Sequence, residues 1–101
     1  MDFDALVIGG GAAGMSCALV LGSALEKPFA EGKKAGILMH QKASHLESAL
    51  LNNVLGLTPG TLGKEILEQG ARQLADTYPG VVQIHKEKVT EVRKEAAGFT
   101  V

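Results

Sequence analysis

Along the 101 residues, short apolar runs separate polar stretches, and the spacing of the apolar positions changes from block to block. Asp4-Ala5-Leu6-Val7-Ile8 is brief and branched, the pattern of a buried strand, and Gly11 to about Leu25 continues at helical spacing. Pro28 closes that helix, because proline lacks a donor and pushes the preceding residue out of helical geometry. Lys27 to Lys34 then reads as a polar surface connection, and Gly36-Ile37-Leu38-Met39 as a second short strand. Strand, helix and strand in this order predict a β-α-β unit, with a right-handed crossover that sets the second strand parallel to the first.

The next signals are turn and cap signals. Ser44-His45-Leu46-Glu47 has the form of a capping box and predicts a short helix over about Leu46 to Leu51. Asn52-Asn53 interrupts it, and Leu57-Thr58-Pro59-Gly60 is turn chemistry. Thr61 is the expected N-cap of a longer helix, in which Ile66, Leu67, Gly70, Ala71 and Leu74 line one face before Tyr78-Pro79-Gly80 stops it. Val82 and Ile84 alternate with Gln83 and His85 as in a half-buried strand. Val89 to Val92 and Phe99 to Val101 flank the polar segment Lys94 to Gly98, which predicts a hairpin.

The junction between the first strand and the first helix carries the chemistry. Gly9-Gly10-Gly11-Ala12-Ala13-Gly14 is a glycine-rich strand-to-helix turn. In a dinucleotide site of this spacing, Gly9 permits the tight exit from the strand, Gly11 lets backbone approach a pyrophosphate, and Gly14 lets helix pack on strand. The N-terminus of the helix then offers unpaired N–H groups and a partial positive charge to phosphates. A purely structural turn uses the same glycines, but the strand before and the helix after supply the context that the ligand reading requires.

Composition removes other classes. A chain of this length with 46% hydrophobic residues builds one core and not two. The net charge of -1, with both signs interspersed, offers no basic stripe for nucleic acid. The acidic start Met1-Asp2-Phe3-Asp4 is unlike a signal peptide, and the apolar stretch from Ala12 to Leu25 is too short to span a bilayer, so no membrane partner is expected. With 1 Cys there is neither an intrachain disulfide nor a Cys-x-x-Cys pair, and a cytoplasmic location is the expectation.

Three segments together resemble the N-terminal part of the FAD-binding domain of thioredoxin-reductase-like flavoproteins. They are Asp4 to Gly14; Asn52-Asn53-Val54-Leu55-Gly56-Leu57, similar to that family's N-x-x-G loop; and Gly60-Thr61-Leu62-Gly63-Lys64-Glu65-Ile66-Leu67, similar to its G-x-x-G-x-E-L helix start. Val89-Thr90-Glu91-Val92 resembles the strand beside the adenine. The resemblance implies an α/β, Rossmann-like domain over residues 1–101, with a small parallel sheet, flanking helices and a C-terminal β-hairpin. It implies FAD as cofactor and NAD(P)H as electron donor of the full-length protein. It also implies backbone donors from Gly11, Ala12, Ala13 and Gly14 on the pyrophosphate beyond the turn at Gly9, Asn53 near the flavin, and the Val89 backbone on the adenine edge.

The chain departs from the pattern in places. Met39-His40-Gln41 stands where many such sites place Asp or Glu for the ribose, so His40 or Gln41 is left as a neutral ribose contact or as a solvated strand end. Ala12 replaces a frequent proline. The family's redox-active Cys-x-x-Cys and its later Gly-Asp segment have no counterpart in the 101 residues, so the expected domain is incomplete and no catalytic residue or dithiol step is assigned. The expected function is an FAD-dependent, NAD(P)H-linked oxidoreductase or its FAD-binding portion. The alternative is a non-catalytic nucleotide-binding or assembly module that a partner chain completes. A homo-oligomer or a completing domain is the expected partner, with a small-molecule or protein-disulfide substrate left open.

Other residues have plainer readings. Cys17 is expected to be a small buried hydrophobe beside Ala13 and Leu21, and His85 a surface residue. His45 is either an exposed helix residue or a cofactor contact, and Asn52-Asn53 is equally a helix-ending turn. No nucleophile, base and orienter constellation and no metal-ligand cluster is apparent.

Overall fold

A computed structural model describes residues 2–39 and 45–101. In chain order the elements are β1 (Ala5–Ile8), α1 (Ala12–Leu25), β2 (Ala35–Leu38), β3 (Leu50–Leu51), β4 (Thr61–Leu62), α2 (Gly63–Thr77), β5 (Val81–Ile84), β6 (Arg93–Glu95) and β7 (Gly98–Thr100). Short 3-10 turns over Pro28–Ala30 and His45–Ser48 join them.

The apolar runs form a three-stranded parallel sheet in the order β1-β2-β5. Ala5 lies opposite Ala35 and Ile8 opposite Leu38; on the other side of β2, Ala35 lies opposite Val81 and Leu38 opposite Ile84. Each strand is added outward from the one before, as in one half of a doubly wound sheet. Parallel neighbours cannot be joined by a tight turn, so α1 and α2 supply the crossovers.

Both helices lie on one face of the sheet. Val7, Ile37 and Val81 are on that face and pack with Met15 and Ala18 of α1 and with Leu67, Ala71 and Leu74 of α2. Ile37 and Leu74 are fully buried at its centre. The helices meet closely because Gly70 has no side chain: a Cβ there would stand 2.6 Å from the sulfur of Met15. The expected apolar face of α2 is therefore the observed one. At the amino end of the sheet, Asp4 accepts the Lys34 backbone N–H at 2.8 Å and pairs with the Lys33 ammonium at 3.8 Å. The expected α/β class, parallel sheet, flanking helices and C-terminal hairpin are all present.

Several local expectations are corrected. The helix expected over Leu46 to Leu51 is one 3-10 turn, His45–Ser48, followed by β3. Leu50 and Leu51 pair antiparallel with Leu62 and Thr61, so a long-range ladder takes the backbone groups that a helix would have used. Ser44, the first member of the expected capping box, lies outside the described residues. Thr61 is not the N-cap of α2: Leu62 occupies that position without a side-chain bond, while the Thr61 hydroxyl donates back to the Thr58 carbonyl at 2.6 Å.

The C-terminal hairpin is shifted as well. Glu95 lies opposite Gly98 across the turn Ala96-Ala97, and this register gives the first strand to Arg93-Lys94-Glu95, leaving Val89 to Val92 outside any strand. On β5 it is Val81 and Gln83 that turn toward the helices, and the Gln83 amide donates to the Ala71 carbonyl at 3.1 Å. Cys17 is exposed, because the buried stripe of α1 runs through Met15, Ala18 and Gly22. His45 and His85 are exposed, as a surface reading of each expects. Among the described residues no group of His, Cys, Asp or Glu could hold a metal, and no helix is long and apolar enough to cross a membrane.

The arrangement makes Leu74 the residue on which α2 depends. Leu74→Ala is expected to cost about 2–5 kcal/mol, the range for emptying a fully buried leucine site. Urea denaturation of the two chains followed by circular dichroism measures it. A loss below about 1 kcal/mol would show that α2 is not seated as described.

Candidate functional site

Because β1, β2 and β5 are parallel, their carboxyl ends share one edge of the sheet, the edge at which doubly wound folds bind ligands. The glycine loop leaves this edge from Ile8, and the segment containing Val89 leaves it from Ile84. α2, the return crossover, starts at the same end, so the β3–β4 loop with Asn53 at its turn also belongs to it.

The glycine loop is held on three sides. Gly9 has φ +112, a conformation that side chains disfavour, and its N–H donates to the Leu38 carbonyl at 2.9 Å. A Cβ on Gly10 would press on the Met39 side chain at 2.9 Å, so the loop lies directly on the end of β2. A Cβ on Gly14 would fall onto the Gly9 carbonyl oxygen, which is the close helix–strand approach expected of the third glycine. Open space remains where a Gly9 Cβ would stand.

Gly11 is the N-cap of α1, with φ -79 and ψ -170, and no side chain caps the helix. Its carbonyl accepts the first helical bond, from Met15 N–H at 2.9 Å. The first turn carries no acidic residue, and the one nearby hydroxyl, on Ser16, is committed to the Ala12 carbonyl at 2.7 Å. The N–H groups of Ala12, Ala13 and Gly14 are thus donors that the helix leaves unmet, and Ala12 and Ala13 are exposed. Chemically the loop offers a tight, side-chain-free anion cradle with the positive end of a helix behind it.

The other expected contacts are placed more loosely. Asn53 is exposed in the bend after β3, in a loop closed by Gly60 N–H to the Leu51 carbonyl at 3.0 Å and Gly63 N–H to the Ala49 carbonyl at 2.9 Å. Val89 is half-buried in the irregular segment between β5 and β6, so its expected strand geometry is absent. His40 and Gln41 lie outside the described residues. The last described residue of that connection, Met39, is buried and faces the helices, so β2 delivers no carboxylate up to that point.

The sequence reading missed Gly10 and Met39 as supports of the loop, since Gly10 falls on the first unspecified position of the G-x-G-x-x-G spacing. It also missed Gly63, where a Cβ would meet the Leu46 carbonyl and which therefore sets the approach of the His45–Ser48 turn to α2. A small groove of about 210 Å³ between Gly22, Leu25, Tyr78 and Val81 lies at the opposite, amino end of the sheet and takes no part in this site.

No family model and no curated protein matches the chain. Solved structures do. One is the thioredoxin reductase TrxB of Bacillus anthracis, at TM-score 0.70 and 24% identity, covering 96% of this chain and 30% of that one. Another is an oxidoreductase from Agrobacterium tumefaciens, at TM-score 0.70 and 29% identity, covering 98% of this chain and 30% of that one. The chain spans less than a third of the length of either neighbour and has the α/β fold of part of a thioredoxin-reductase-like oxidoreductase.

Proposed function

We propose that the chain is the FAD-binding portion of a thioredoxin-reductase-like, NAD(P)H-linked oxidoreductase. The glycine loop carries this reading. Its helix end has no acidic residue in the first turn and no side-chain cap, and the close packing of Gly14 on Gly9 holds that end at the strand, an arrangement that suits an anion such as a diphosphate. The likeness in fold to the Agrobacterium oxidoreductase supports the oxidoreductase class, and the choice of FAD rests on the resemblance of the Asn52–Leu57 and Gly60–Leu67 segments.

In this reading Ala12, Ala13 and Gly14 donate their backbone N–H groups to the pyrophosphate, and Gly9 and Gly11 clear the space that it needs. Asn53 is assigned to the flavin, Val89 to the adenine, and His40 remains the candidate for the ribose. A bound flavin would supply the hydride chemistry of an NAD(P)H-linked oxidoreductase. The residues here bind and orient it; the acceptor, a small molecule or a protein disulfide, is engaged elsewhere in a longer protein. The reading also places the protein in the cytoplasm.

A second reading is a nucleotide-binding module that a partner chain completes. It is favoured by one observation, the large apolar residues left in solvent, among them Ile8, Leu55 and Phe99.

Purified chain is expected to bind FAD saturably, read by quenching of flavin fluorescence and by the flavin absorbance that co-elutes with protein. Gly11→Val places a branched side chain at the phosphate position and is expected to weaken binding by about 100-fold or more, with an unchanged circular dichroism spectrum. Undiminished affinity in that variant would make the loop purely structural. In calorimetric competition FAD is expected to displace NAD(H), and the reverse order would replace the cofactor in this proposal.

A further inference from the structure

The middle of the glycine loop rests on one residue. A Cβ at Gly10 would stand 2.9 Å from Cγ, 3.1 Å from Cβ and 3.2 Å from Cα of Met39, so the three nearest atoms all belong to that methionine. Gly9 and Gly14 are fastened by backbone instead, the first through its N–H to Leu38 and the second against the Gly9 carbonyl.

Met39 is itself fixed at both ends. Its N–H donates to the Ile84 carbonyl at 2.7 Å, which carries the β2–β5 ladder one residue past the end of β2. Its side chain is 7% exposed and joins the cluster of Met15, Ala18, Ile37 and Leu74. The core thus sets the height of Gly10 above the sheet. Gly10 leads directly into Gly11, the N-cap of α1, and the N–H groups that follow are the unmet donors.

Three successive glycines spread over many backbone states when nothing holds them, and a ligand that has to order them binds more weakly. An unbranched methionine is suited to fill the irregular gap beneath such a loop. Many dinucleotide sites place Asp or Glu after the second strand to hold the ribose, and from Ala35 to Ser44 this sequence has neither. At Met39 that stretch provides a support for the loop.

We infer that Met39 is a positioning residue for the diphosphate, acting through Gly10 to keep the N-terminal end of α1 in the geometry that receives a phosphate. This rests on the reading of the loop as a diphosphate site and adds the side chain that fixes the loop's shape.

Calorimetry on the nucleotide-free chain tests it with ADP, which carries the diphosphate without the flavin. Met39→Ala is expected to weaken ADP binding by about tenfold, because the ligand then has to order the loop. Met39→Leu nearly conserves the volume and is expected to stay within about threefold of the parent. The phosphorus resonances of bound ADP are expected to shift in Met39→Ala and to return in Met39→Leu. Val81→Ala empties a buried position at the amino end of β5, so it is expected to lower the melting temperature yet change ADP affinity by less than about twofold. Gly10→Ala leaves the core filled and keeps the test open where Met39→Ala does not fold. Its Cβ presses on Met39, so ADP binding is expected to weaken with the circular dichroism of the parent unchanged.

A parent that binds ADP and keeps that affinity in Met39→Ala or in Gly10→Ala overturns this inference alone. Equal losses in Met39→Ala and Val81→Ala overturn it too, since they would reduce Met39 to a general contribution to stability. A parent that binds neither ADP nor FAD overturns the diphosphate reading and the inference with it.

Discussion

The rest of the site depends on how closely α1 approaches β1. The backbone at Gly14 lies against the carbonyl oxygen of Gly9, a contact with no room for even one methyl group. Contact at that range brings the start of α1 down to the end of β1, and with it the helix N–H groups to the carboxyl edge of the sheet. It also lets Met15 and Ala18 reach Ile37 in the central strand. Any side chain at position 14 would lever the helix outward, opening the core and withdrawing the donors together. Stability and the anion cradle thus share one atom-scale constraint.

Where structure follows from neighbouring residues, the sequence was a sufficient guide. β1, α1, β2 and α2 are set by apolar spacing and by glycine or proline at their ends, and they lie within a residue or two of their expected limits. The misreadings fall where distant partners decide. Leu50-Leu51 looks like the end of a helix until Thr61-Leu62 pairs with it, and that pairing also removes Thr61 from its expected cap. In the hairpin, apolar content pointed to Val89–Val92, whereas the turn at Ala96-Ala97 fixes the register and makes a strand of the charged Arg93-Lys94-Glu95. Cys17 was misplaced because α1 has no charged residue anywhere along it, so its sequence does not declare which side faces the core.

The candidate site was legible in part for the same reason. The spacing of Gly9 and Gly14 states a purely local requirement, a tight exit from the strand and a close approach of the helix, and the backbone meets it. Asn53 and Val89 were named by likeness to a family, and their positions depend on loops tied down by contacts far along the chain, such as Gly63 with Ala49. Nothing in a linear pattern marks Met39 as the floor under Gly10, since a buried methionine after a strand is unremarkable until the loop above it is known.

Glycine-rich segments have the most backbone freedom of any sequence when unfolded, yet this one is fastened on every side: Gly9 N–H to Leu38, Gly10 on Met39, Gly14 on Gly9. The entropy of ordering it is met during folding, when the sheet and the first helix close on each other. For the diphosphate of the proposed function, such a loop would be a receptor already in its binding shape, with no resident carboxylate in the first turn to displace. Its affinity would then be governed by desolvation and by the hydrogen bonds themselves, because the ordering of the glycine segment is complete before the ligand arrives.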